Sequence, residues 1–157
     1  MPQNQFNTPL AFAQQVLSEL YEYSFTSSDY SMIPIPFSRQ DDFNYNMAFN
    51  TTANSGTTNN IYPINNGYYK LDAVFSFKGA SQNNLGIKAY IPDIGFLAPV
   101  LWNGRGGNTW AISYSQIYKV KRSGEASEIQ WYVQNEQEED PSALEIVGAI
   151  VTVNRIY

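Results

Sequence analysis

The chain has 157 residues and a net charge of −5, with 43% apolar residues and only 15% charged ones. That length holds one domain with its own core, and the charged share lies well below the roughly 25% usual for soluble domains; Asn, Ser, Thr, Gln and Tyr fill the difference, as on extracellular or assembly surfaces. The absence of His and Cys removes the commonest general base, the commonest zinc ligand and any disulfide framework, the scattered Lys and Arg argue against nucleic-acid binding, and no apolar run reaches the roughly 20 residues of a membrane span.

The first ten residues, "MPQNQFNTPL", lack the basic and apolar regions of a signal peptide, so none is expected. Residues 8–24 predict an α-helix: Thr8 suits the cap and Pro9 the first helical position. Leu10, Ala13, Val16, Leu17, Leu20 and Tyr21 then recur at helical spacing. Residues 1–30 are read as a helical arm, packed either on its own domain or on a neighbouring subunit, and residues 31–157 as the jelly-roll β-sandwich domain. The helix lacks the basic face of membrane-surface helices.

Residues 32–37, "MIPIPF", are apolar but carry two prolines, which predicts an edge strand or an extended segment. Residues 42–49 alternate, with Phe43, Tyr45, Met47 and Phe49 on one side, and residues 50–60 read as a polar loop. In "NNGYYKLDAVFSFKG", 65–79, Tyr69, Leu71, Ala73, Phe75 and Phe77 share one face of a strand, while Tyr68 and Val74 stand on the other among polar residues. Residues 85–91 place Leu85, Ile87, Ala89 and Ile91 together, residues 109–120 place Trp110, Ile112, Tyr114, Tyr118 and Val120 together, and residues 128–134 do the same with Ile129, Trp131 and Val133. The last strand, 144–157, reads as apolar on both sides: Leu144, Ile146, Ile150 and Ile156 on one, Val147, Ala149, Val151, Val153 and Tyr157 on the other. Seven or eight strands spaced by turn signals predict an all-β, antiparallel β-sandwich of the jelly-roll kind, preceded by one N-terminal α-helix.

A strand that is apolar on both sides must be covered on both, and a two-layer sandwich covers one. "NNGYYKLDAVFSF" resembles the strand of the tumour necrosis factor and complement globular-head superfamily in which a glycine and two aromatics precede an alternating run. The terminal "ALEIVGAIVTVNRIY" is similar to that superfamily's closing strand. "VKRSGEASEIQWYV" stands where the family has a Gly-Asp turn, but here reads Ser123-Gly124-Glu125. The resemblance spans about residues 30–157. It implies a compact trimer whose opening and closing strands face the threefold axis, with Tyr68, Val74, Val151, Val153 and Tyr157 at the interface between subunits.

"WNGRGGN", 102–108, lacks the Lys-Ser/Thr of a phosphate loop. It reads as a hairpin turn or as a recognition loop, where Trp102 stacks on a sugar ring and Asn103, Arg105 and Asn108 bond its hydroxyls. The acidic run 135–140 reads as a solvated loop whose spacing fits no calcium loop, and Asp41-Asp42 carries neither metal nor glycosidase chemistry. No catalytic residue, metal or cofactor is assigned. The functional expectation is a non-enzymatic virion structural protein, a capsid, decoration or spike-head subunit, self-associating as a homotrimer and meeting other virion proteins, with no nucleic acid and no membrane insertion. The alternative is an extracellular module of the same fold that binds a carbohydrate or protein receptor.

Overall fold

The computed structural model describes residues 10–17, 21–23, 29–39, 44–50, 60–78, 83–103, 109–137 and 144–157. In chain order the first strands are β1 (Phe12–Leu17), β2 (Tyr21–Tyr23), β3 (Ser31–Met32), β4 (Ser38–Arg39), β5 (Met47–Asn50) and β6 (Asn60–Pro63). They are followed by β7 (Gly67–Lys78), β8 (Asn83–Ile91), β9 (Gly95–Phe96), β10 (Val100–Asn103), β11 (Thr109–Val120), β12 (Gln130–Gln137) and β13 (Leu144–Arg155). One sheet runs β11-β7-β13-β1-β4, with β2 also on β13; the other runs β10-β8-β12-β3, with β9 also on β8; β5 and β6 form a separate pair. Every pairing is antiparallel. These interleaved crossovers between two facing sheets make a jelly roll.

The strict alternation of β7 sets the core. Tyr69, Leu71, Ala73, Phe75 and Phe77 are all buried, because successive side chains of a strand point to opposite faces. The facing sheet supplies Leu85, Ile87, Ala89 and Ile91 from β8, with Trp131 and Val133 from β12. Trp131 ties the layers together: its ring meets Phe75 edge-on at 4.8 Å and Tyr114 of β11 at 5.3 Å. The segment after β3 keeps Ile33, Ile35 and Phe37 buried. Its backbone folds through the bonds Ile35 N–H to Ile33 O and Phe37 N–H to Ile35 O, at 3.0 and 2.9 Å, so Pro34 and Pro36 remove no ladder donor. At one end of the sandwich, Glu128 is buried and accepts hydrogen bonds from the Nδ2 atoms of Asn50 and Asn60, at 2.8 and 2.6 Å. It thereby closes the β5–β6 hairpin against the start of β12.

Three expectations need correction. The first is the N-terminal helix: the described residues hold no α-helix, and the stretch forms β1 and β2 along one edge of β13. Local helix propensity is a weak force that tertiary pairing overrides, and an unpaired edge on this long strand would leave backbone groups without partners. Secondly, the alternation expected over 42–49 fails at Asn46, whose φ of 53° turns the chain before β5. Met47 is buried and Tyr45 exposed, and Phe43 lies outside the described residues. Thirdly, the two apolar faces of the last strand are divided differently. A bulge interrupts its pairing with β7, with Val147 the extra residue between the pairs Ile146↔Phe77 and Gly148↔Ser76. An extra residue reverses the facing of everything after it, so Ile146, Ala149, Val151 and Val153 all point inward and Ile150 points out.

Candidate functional site

The outward face of the β11-β7-β13-β1 sheet leaves several apolar side chains uncovered. Its register builds rows across four strands. One row reads Ser113, Val74, Ile150 and Val16; the next reads Ser115, Asp72, Thr152 and Gln14; a third reads Ile117, Lys70, Asn154 and Phe12. Val74 and Ile150 stand directly opposite one another and are 44% and 48% exposed, while Ile117 is 61% exposed. Tyr68 and Tyr157 close the face at one end, their rings 6.1 Å apart, with the Lys119 ammonium 5.3 Å from the Tyr68 ring.

The electrostatics of this face are quiet. Asp72 sits at its middle, accepts a 2.7 Å hydrogen bond from the Ser115 hydroxyl, and lies 3.7 Å from the Lys70 ammonium. Both charged groups are about half exposed, so this pair contributes little to stability. In the row of the Val74–Ile150 pair the other side chains, Ser113 and Val16, are short and uncharged, so little polar surface there resists dehydration. Such a face suits contact with another protein surface better than it suits a small molecule.

Of the expected interface residues, Tyr68, Val74 and Tyr157 are exposed on or beside this face. Val151 and Val153 are not: each is 0% exposed within a single chain, in the core between the sheets. The physical reason is the bulge, which turns both valines inward. Ile150 and Ile117 take their place on the face. Alternation around Ile117 in "SYSQIYKV" was a usable signal, whereas Ile150 was hidden by the bulge.

Residues 104–108 of the recognition loop expected at 102–108 lie outside the described residues. Trp102 and Asn103 end β10, opposite Leu85 and Asn84 in the register. Their side chains, and Arg105 and Asn108, lie outside the described residues, as do Asp41 and Asp42 and the side chains of 135–140. Among the described residues there is no group of three or more His, Cys, Asp or Glu placed to hold a metal ion, and no helix long and apolar enough to cross a membrane.

Sequence reasoning missed a second surface, on the outward side of the other sheet. Tyr90, Phe96 and Tyr132 pack together with centroids 4.7, 5.5 and 4.9 Å apart. The Lys88 ammonium lies 3.9 Å from the ring centroids of both Tyr30 and Phe96, a doubled cation–π contact. Burial, then the neighbouring Tyr90, raises the Tyr132 phenol above its usual range. The positions between the core residues of 85–91 carried this signal, since Lys88 and Tyr90 alternate with Ile87, Ala89 and Ile91.

No protein-family model matches the chain, and no curated protein sequence does. Solved structures do match it. The PRD1 vertex protein P5 aligns with a TM-score of 0.57 at 8% identity, covering 96% of this chain and 99% of that one. The Eiger TNF of S. frugiperda aligns with a TM-score of 0.57 at 9% identity, covering 96% and 94%. Murine APRIL at pH 5.0 aligns with a TM-score of 0.55 at 7% identity, covering 93% and 98%. The chain therefore has the tumour-necrosis-factor-like jelly-roll fold, over nearly its whole length.

Proposed function

We propose that this chain is a non-enzymatic structural subunit of a virus particle, a capsid, decoration or spike-head protein, and that it associates with itself as a homotrimer. The observation that carries the reading is the uncovered, weakly charged sheet face centred on Val74 and Ile150. In a two-layer sandwich that face belongs to water, yet one of its rows reads Ser113, Val74, Ile150 and Val16. Burying such side chains contributes roughly 1.5–3 kcal/mol each when complete, which favours a second copy as cover. The likeness to a vertex protein supports the particle setting. The test is protein mass spectrometry of purified particles from the source together with cross-linking. The chain is expected in the particles in multiples of three; its absence from them rejects the reading.

A second reading, a recognition module for a carbohydrate or protein receptor, is favoured by the exposed rings on the opposite sheet. Phe96 is about half exposed beside Tyr90 and Tyr132, and rings so placed stack on sugars or anchor protein contacts. A glycan array compared between the unaltered chain and Phe96→Ala decides it: retained binding that the substitution abolishes supports it, and no binding to any glycan removes the carbohydrate version.

A further inference from the structure

Strand β1 is poorly suited to the place it occupies. Its inward residues, with the one just before it, are Ala11, Ala13, Gln15 and Leu17, all buried. Two are alanines, which bring little apolar surface. Gln15 is 0% exposed, and neither its amide nitrogen nor its amide oxygen has a hydrogen-bond partner. A buried amide without partners opposes the burial of its neighbours. The contrast with β7 is direct, since that strand puts Tyr69, Leu71, Ala73, Phe75 and Phe77 into the same core. The helical spacing of residues 8–24 has the same origin: Val16, which fits an apolar helical stripe, points outward here and Gln15 points in.

What holds β1 is backbone pairing. Six of its residues pair with β13, from Phe12↔Asn154 to Leu17↔Ala149. Among the described residues, its other edge meets Ser38 and Arg39 of β4 and makes one bridge to Tyr45. Backbone bonds carry no sequence preference, so the edge of β13 accepts any strand with a small inward face. The strand best matched to it is β1 of another copy, and exchange of one identical element between copies is a low-cost route to association.

We infer that β1 is an exchangeable strand, which leaves its own β13 and takes the same register on the β13 of a second copy of this chain. This goes beyond the sheet-face contact proposed above and does not require it: that contact uses the outward face of the sheet, whereas exchange uses the edge of one strand.

The test uses the full chain, which has no cysteine of its own, with Ala13→Cys and Val153→Cys. The two positions are opposite in the register and both buried. A disulfide that joins position 13 of one copy to position 153 of another, located by peptide mapping, therefore reports β1 of one lying on β13 of the other. The reduced protein is held concentrated, diluted, oxidised and run without reductant. Covalent multimers are expected in at least about a tenth of the protein, rising with the concentration of the first step; monomer alone, with an internal disulfide, overturns the inference. Hydrogen exchange on the chain without cysteines covers the case in which the double variant does not fold. The bonded amides of 13–17 are expected to exchange about 100-fold faster than those of 71–77, and Gln15→Leu to slow them about tenfold. Protection equal to that of β7, or no slowing with Gln15→Leu, overturns it. A chain of single-chain mass that still cross-links after concentration keeps the exchange and removes the sheet-face trimer, so the two failures are distinct.

Discussion

Replacing Val74 and Ile150 together by serine separates the sheet-face account from a surface that merely carries stray apolar residues. Both side chains point outward, and Ser113 already stands opposite Val74 in the same row, so the substitution suits the local sheet. They are 44% and 48% exposed, which leaves about half of each to be covered by a neighbouring copy. At roughly 1.5–3 kcal/mol for complete burial, the uncovered halves are worth about 0.7–1.5 kcal/mol each, or about 1.5–3 kcal/mol for the pair. Each 1.4 kcal/mol is tenfold in affinity, so the double variant is expected to associate about 10- to 150-fold more weakly per contact. Sedimentation equilibrium over a concentration series reads the association constant, and circular dichroism confirms that the fold is kept. Val151→Ala gives the opposite pattern. It opens a void in the core and costs about 2 kcal/mol of folding stability, yet leaves association of the folded chain unchanged. An association constant that shifts less than about threefold in the serine variant refutes the reasoning.

Three other outcomes follow from single groups. Glu128→Ala strands the buried Asn60 amide and loosens its Asn50 counterpart, and is expected to lower stability in urea by about 2–4 kcal/mol, since hydrogen bonds to charged groups contribute roughly 1.5–3 kcal/mol each; a change under about 0.5 kcal/mol would mean the hairpin does not depend on it. Gly67 has a φ of 148°, and a Cβ there would lie 2.6 Å from Arg155 Nε and 2.5 Å from the Tyr157 carbonyl oxygen, so Gly67→Ala is expected to cost about 1–3 kcal/mol in the same assay, and an unchanged midpoint would contradict that. Burial pushes the Tyr114 phenol up to about 12, against a small opposing effect of the Ala89 N–H, and pushes Tyr118 higher still. The folded chain thus holds protons that the unfolded chain releases from about pH 10 upward. This part of the stability is complete below pH 10 and falls as pH rises toward 12; urea midpoints that stay flat from pH 9.5 to 12 would contradict the burial of these hydroxyls.

How much of this was legible in the sequence depended on regular alternation. The strands of 67–78, 87–91, 111–120 and 129–134 keep an unbroken period of two between inward and outward residues, and their core faces were readable. The resemblance to the tumour necrosis factor superfamily rested on the alternating stretch at 65–77, the closing strand and the turn before 128–134, and led to the observed fold. The failures have local causes. In β1 the inward face contains a buried glutamine, so residues 8–24 read as a helix. Strand β6 holds four residues ending in Pro63 and merges with the polar loop before it. The bulge at Val147 depends on pairing with a strand 70 positions away, which no local pattern reports. It exchanged Val151 and Val153 for Ile150 on the candidate face. Tyr68 and Val74 were legible there because β7 has no irregularity.

The central claim is that another copy of the chain covers the outward sheet face. The most direct measurement is the mass of the unaltered protein in solution, by light scattering coupled to size exclusion at micromolar concentration. The account predicts three times the single-chain mass, stable on dilution, and a uniform single-chain mass under those conditions would contradict it.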